Sequence, residues 1–239
     1  MNKLFFVIII VVAVILTGVF YKYGRGIWFP YYLKIVGTRT TEQAVKQYQK
    51  EALKRLIPAF NKARVHYPPE KIILLATKQE KTLELWAEEN NQVTYIKTYD
   101  VLAASGESGP KLREGDNQVP EGIYKIEWLN PNSAFHLSMK LNYPNKFDMQ
   151  HAKEDGRDGA PGSNIMIHGK DMSVGCLAMG DEAIEELFVL TNKIGVKNIK
   201  VIIAPDDPRV KRLKVNSSQP IWVNQLYKDI QNEFISYKK

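Results

Sequence analysis

The sequence holds a single cysteine, Cys176, among 239 residues, so no disulfide can form within the chain. A structural zinc site wants four ligands; no second thiol exists, and His136, His151, Asp155 and Asp171 are too scattered to substitute. An internal repeat and any low-complexity tract are also missing. With 44% hydrophobic residues, this excludes a disordered protein and predicts one well-buried domain with an appendage, or two small domains. There is no RNA-binding signature, no zinc-finger spacing and no basic stripe with interleaved aromatics. The formal charge of +7 is therefore read as a solvated basic surface, or one facing anionic lipid or an acidic wall polymer, and not nucleic acid. No metal or cofactor is called for.

One long hydrophobic run is present, Leu4 to Phe20 ("LFFVIIIVVAVILTGVF"), at the short end of what spans a bilayer. It lacks the small-residue ending of a cleavable signal and runs instead into Phe20, Tyr21, Lys22 and Tyr23, an aromatic and basic belt suited to a membrane interface. An uncleaved anchor is favoured over a secretion signal. Basic residues flank both ends, so charge does not settle its orientation.

After the anchor and linker (1–37), Thr40 and Gln43 form a capping-box pattern, followed by Val45, Tyr48, Ala52, Leu56 and Phe60 at helical spacing. The spacing predicts an amphipathic helix within 38–66, kinked or ended near Pro58. From Lys71, short β-like runs such as "KIILLATK", "KTLELWAEE", "GIYKIEWL" and "NIKVIIAP" predict a mostly antiparallel β domain over 67–208. A helix is predicted from Asp181 to Ile194, stopped by Gly195, and another from Pro220 to Tyr237 within a C-terminal extension, 209–239.

The chemistry concentrates in "IMIHGKDMSVGCLAMGD", Ile165 to Asp181. A strand ends at His168 and Gly169, and a loop carries Ser173, Gly175 and Cys176 toward a helix. The lone cysteine could be an intermolecular link, a small buried hydrophobe or a working thiol. A thiol attacks as thiolate, and a histidine within reach, here His168, can take its proton and lower its pKa. Gly175 lets its own amide and that of Cys176 turn toward a developing oxyanion, while Ser173 could orient the loop or the imidazole. Arg157, in "GRDGAPG", could fork onto a substrate carboxylate. His136 and Tyr143 are candidates for lining a pocket, and His66 and His151 are read as structural or surface residues.

Three segments in order, "GPKLREGDNQVPEGIYKI" (Gly109 to Ile126), "NSAFHLSMKLNYPN" (Asn132 to Asn145) and "IMIHGKDMSVGCLAMGDEAIEELF" (Ile165 to Phe188), resemble the L,D-transpeptidase catalytic domain of the YkuD type, in its YafK-like branch. The resemblance implies a β-rich α+β fold, a sandwich or barrel with flanking helices. It implies Cys176 as nucleophile, His168 as base, and Gly175 with the Cys176 amide as part of the oxyanion hole; from the residues themselves, Ser173 is added to the catalytic set, and Arg157, His136, Tyr143 and Gly169 are expected on the substrate side. It further implies a bacterial envelope location, with the domain in the periplasm on an inner-membrane anchor or secreted if the signal is cut. The partners would be peptidoglycan stem peptides and, in one alternative, a wall-attached lipoprotein. Val174 stands where many members have a second histidine, and the insertion after His168-Gly169 is short. A thioester at Cys176 would pass to an amine (transpeptidation) or to water (carboxypeptidase, or amidase releasing wall-linked protein). A silent peptidoglycan-binding module is the non-enzymatic alternative.

Overall fold

The computed structural model describes residues 3–157 and 161–239. Three helices come first: α1 (Lys3–Tyr23), α2 (Arg25–Val36) and α3 (Thr41–Ala63). Helix α1 carries an apolar stretch, Phe5–Tyr23, none of it buried. The linker expected before α3 is itself helical, a difference taken up below.

The capping box at the start of α3 forms as expected: Thr40 Oγ1 accepts from Gln43 N, and Gln43 Oε1 accepts from Thr40 N. Pro58 does not end the helix, which continues to Ala63. The cost of an interior proline, about 3 kcal/mol, is offset by complete burial of Leu56 and Phe60 on either side of it, worth about 1.5–3 kcal/mol each.

The strands are β1 (Lys71–Thr77), β2 (Thr82–Glu89), β3 (Gln92–Asp100), β4 (Ala103–Ala104), β5 (Gly122–Ser133), β6 (His136–Leu141), β7 (Met166–His168), β8 (Leu177–Ala178) and β9 (Ile199–Ala204). They form one mixed sheet in the order β3-β2-β1-β9-β5-β6-β7-β8-β4. Pairing is antiparallel except for β1 with β9 and β7 with β8. Strand β5 joins the two halves: Gly122 to Lys125 pair with β9, and beyond them Ile126 to Ser133 pair with β6 through two register shifts. The halves enclose a common core containing Leu74 and Leu85 from one and Leu137, Met139 and Ile167 from the other. This is the sandwich-like β domain with flanking helices that the sequence predicts.

The uninterrupted apolar run of β1 has a physical reason. Ile72 and Leu74 face the common core, whereas Ile73 and Leu75 face a second cluster roofed by α6 (Val223–Phe234) through Leu226, Ile230 and Phe234. A strand covered on both faces reads as continuous hydrophobicity instead of alternation. Helix α5 (Asp181–Ile194) has the predicted bounds, and α3 packs on it. Arg55 of α3 reaches Glu185 and the buried Glu186, and Lys97 and Tyr99 also converge on Glu186. Besides α2, helix α4 (Lys146–Glu154) was not foreseen; its signal was present, since Asn145 and Asp148 form a reciprocal capping box.

The loop between β4 and β5 is held by a buried ion pair, Lys78 Nζ to Glu121 Oε1 at 3.0 Å, with side chains 3% and 0% exposed. Lys78 also donates to the carbonyls of Glu107, Gly109 and Val119, and Glu121 accepts from Gly109 N and from Tyr227 Oη of α6. Glu121→Ala is expected to destabilise the protein by about 3–5 kcal/mol, because it strands a buried ammonium. Urea unfolding should show this as a lower midpoint at unchanged slope. Lys78→Met combined with Glu121→Gln should recover part of the loss.

Candidate active site

His168 is the last residue of β7, held between β6 (register Ser138 to His168) and β8 (His168 to Ala178). Its ring is buried and packs against Phe135, centroids 4.8 Å apart and planes tilted by 35°. Nδ1 lies 2.6 Å from the Gly169 carbonyl. A carbonyl only accepts, so Nδ1 carries the proton and Nε2 is left as the basic nitrogen. Gly169 cannot be replaced at this point: a Cβ would sit 2.7 Å from both the Phe135 carbonyl and Asp181 Oδ1. Its carbonyl holds the imidazole through Nδ1, and the substrate-side position expected for it lies next to that bond.

Cys176 follows a short loop. Ser173 Oγ accepts from Cys176 N at 3.0 Å and donates to the Cys176 carbonyl at 2.5 Å, so it fixes the backbone of the cysteine and not the imidazole. Gly175 has φ +88°, a conformation that favours glycine. The loop is anchored at its start by the Lys170 ion pair with Asp181, and Val174 at its tip is exposed. The Cys176 thiol accepts from Met166 N at 3.4 Å and faces the Asn164 carbonyl at 3.9 Å.

His168, Ser173 and Cys176 line one cavity of about 550 Å³, together with Asn130, Ser133, Ser138, Asn164, Phe135, Met166, Met172 and, at its edge, Tyr23 of α1. No hydrogen bond joins the thiol to the imidazole in this state. Burial raises the Cys176 thiol from its ordinary value, opposed by the Met166 amide and the Lys111 charge. Burial also lowers the His168 imidazole, opposed by its bond to the Gly169 carbonyl. Both shifts favour the uncharged form of their group, the opposite direction from the lowering of the thiol by its histidine that the sequence led one to expect.

The amides of Gly175 and Cys176, expected as oxyanion donors, are already engaged: Gly175 N donates to Ser105 Oγ at 2.5 Å and Cys176 N to Ser173 Oγ. Ser105 follows the edge strand β4 and also lies 3.4 Å from Ser173 Oγ. It is 70 residues from Gly175, and nothing in local sequence marks it. Lys111 is the second residue missed; its ammonium is held by Asp116 and the Arg113 carbonyl.

Three other candidates do not reach this cavity. His136 is bound to Glu185 at 2.9 Å and packs on Tyr48, lining a neighbouring hollow of about 350 Å³ beneath α2. Tyr143 is core: its hydroxyl donates to the carbonyls of Lys111 and Pro161, and burial raises its pKa. Arg157 is tied to Asp155 and to the Leu112 carbonyl in a separate hollow with Pro110, Arg113 and Gln118. Residues 158–160, part of the motif in which Arg157 was noted, lie outside those described. His151 stacks on Trp222, as a structural residue would. Among the described residues, no group of three His, Cys, Asp or Glu side chains could hold a metal.

A family model for the YkuD L,D-transpeptidase catalytic domain matches residues 70–203. The chain is 32% identical over 153 residues to the Escherichia coli (strain K12) protein named "Putative L,D-transpeptidase YafK", covering 61% of this chain and 59% of that one. The chain thus spans less than two thirds of this curated relative. Among solved structures, it is similar to the helical cell shape determining protein Pgp2 from Campylobacter jejuni (TM-score 0.47, 16% identity, 72% of each chain). It is also similar to Mycobacterium tuberculosis L,D-transpeptidase 1 (TM-score 0.33, 13% identity, 56% of this chain and 62% of that one).

Iodoacetamide should therefore modify Cys176 more slowly than a free cysteine at pH 7, since a raised pKa leaves less thiolate. The rate should climb with an apparent pKa above the ordinary ~8.5; an apparent pKa below that value would contradict this account. Ser105→Ala should speed hydrogen exchange at the Gly175 amide about tenfold, the equivalent of one hydrogen bond, without altering the global unfolding transition.

Proposed function

Because the chain belongs to the YkuD L,D-transpeptidase catalytic domain family, we propose that it is a cysteine acyltransferase or peptidase acting on the stem peptides of bacterial peptidoglycan, with Cys176 as nucleophile and His168 as base. The observation that carries this reading is the His168 Nδ1 bond to the Gly169 carbonyl, which leaves Nε2 as the proton acceptor of a ring lining the same cavity as the only thiol. A silent binding module has no need of a histidine held in a single tautomer beside a cysteine.

In the reaction, His168 Nε2 takes the Sγ proton as Sγ attacks the carbonyl carbon of a stem-peptide bond at diaminopimelate. The tetrahedral oxyanion collapses, the C–N bond breaks, and the departing amine takes the proton from the imidazolium. A thioester remains. Water or an acceptor amine then attacks it, giving its proton to His168, and the thiolate leaves and is reprotonated. For the oxyanion to use the Cys176 or Gly175 amide, the Ser173 or Ser105 hydroxyl must yield its hydrogen bond in the transition state, a rearrangement small enough for a loop. Ser173 and Ser105 are positioning residues.

The loop from Lys170 to Val174 is short and tied to Asp181 at its start, so it is poorly suited to cover a thioester and exclude water. Hydrolysis is the favoured outcome, giving a shortened stem or one freed from a wall-attached lipoprotein. Helix α1 acts as an inner-membrane anchor or signal and places the domain in the periplasm.

The test is incubation of the full chain in detergent with defined tetrapeptide muropeptides, with products read by mass. The expected result is mainly hydrolytic product with cross-linked dimer minor; predominant dimer across a range of amine concentrations would overturn the loop argument. Cys176→Ala should abolish turnover. His168→Ala should lose most of it, and the double variant should lose no more than the single ones, because nucleophile and base act as a unit. A lowered His168 pKa keeps the base unprotonated below the ordinary ~6.5, so the acidic limb of the kcat/KM profile should fall at a pH lower than that.

A further inference from the structure

Helix α2 presents two apolar faces, and only one has a partner in the protein. Phe29 and Leu33 look onto the β5–β6 hairpin across the hollow that His136 lines, and Arg25 Nε donates to the Ala134 carbonyl at 2.6 Å. On the other side Ile27, Tyr31 and Ile35, spaced four residues apart, form a stripe 65%, 64% and 86% exposed. Such a stripe in water has a cost that burial in an apolar medium removes.

The surroundings identify that medium. Helix α2 begins one residue after the unburied apolar helix α1, with Gly24 as the turn between them. Trp28 folds back across this turn: its ring stacks on Tyr21 at 5.1 Å, and Nε1 donates to the Tyr21 carbonyl at 3.1 Å. The two helices are therefore fixed to each other, and α2 starts where α1 ends. From Lys22 to Arg39 the chain has four basic residues, Lys22, Arg25, Lys34 and Arg39, and no acidic one. Apolar and aromatic side chains interleaved with positive charge suit the headgroup layer of an anionic bilayer.

We propose that α2 is an interfacial helix, with the Ile27–Tyr31–Ile35 stripe inserted at the headgroup level of an anionic lipid bilayer, and that it holds the catalytic domain against the membrane surface. This rests on α1 being a span. Tyr23, the last residue of α1, lies at the edge of the Cys176 cavity, and Lys22 pairs with Asp171 of the cysteine loop at 3.2 Å. The cleft is thereby stationed at the bilayer surface instead of swinging on a free tether.

The test uses the full chain with Cys176→Ala, reconstituted in nanodiscs of phosphatidylethanolamine and phosphatidylglycerol. Single cysteines replace Ile27, Tyr31 or Ile35 in the stripe, Val14 in α1 and Val210 on the domain, and each carries a nitroxide. Collision with oxygen and with a water-soluble nickel chelate reads the depth of each label. The expected result is Val14→Cys in hydrocarbon, Val210→Cys in water, and the three stripe labels at shallow, interfacial depth. Replacing phosphatidylglycerol by phosphatidylcholine should move the stripe labels toward water and leave Val14→Cys unmoved. Stripe labels as nickel-accessible as Val210→Cys, or shielded from both reagents, would overturn the proposal while leaving the span intact. A water-accessible Val14→Cys would instead overturn the span and the proposal with it.

Discussion

The buried ion pair of Lys78 and Glu121 is the constraint on which the site's surroundings hang. It joins three pieces of chain that are distant in sequence: the end of β1, the loop from Glu107 to Glu121 that leads into β5 and, through Tyr227, helix α6. Such pairs seldom add stability over apolar packing, because desolvation offsets the attraction. Here burial lowers the Lys78 ammonium from its ordinary value against the pull of Glu121. What the pair supplies is position. The loop it pins brings Gln118 behind Gly175, and just upstream of it Ser105 meets the Gly175 amide.

From that fixed wall the character of the cleft follows. Desolvation raises its thiol and lowers its imidazole, and Lys111, a cation that draws the thiol the other way, is paired with Asp116. An uncharged thiol and imidazole can be held out of water at less electrostatic cost than an ion pair. The backbone amides beside the cysteine are likewise kept satisfied by two serine hydroxyls, as buried N–H groups must be.

Much of the architecture was legible because its causes are local. Helix α5 runs from an acidic first turn to Gly195, and β1 from Ile72 to Ala76 and β9 from Val201 to Ala204 announce themselves as apolar runs because both of their faces are covered. Helix α4 was overlooked although its capping box was present, and α2 because apolar residues on two sides of a helix leave no clear period to read. Pro58 misled for an energetic reason: local propensity is outweighed by burial of the residues around it.

At the site, the sequence by itself determined what depends on neighbours along the chain. His168 and Gly169 are adjacent, so the bond orienting the imidazole is built into two consecutive residues, and Ser173, Gly175 and Cys176 lie in one loop. Only the tertiary structure decided what depends on contacts between distant segments. It brought Ser105 to Gly175, gave His136 to Glu185 and Arg157 to Asp155 and Leu112, and placed Tyr143 in the core. It also set the direction in which the cysteine's pKa moves, because a pKa answers to burial and to charges reached through space, and neither is written in the order of residues along a loop.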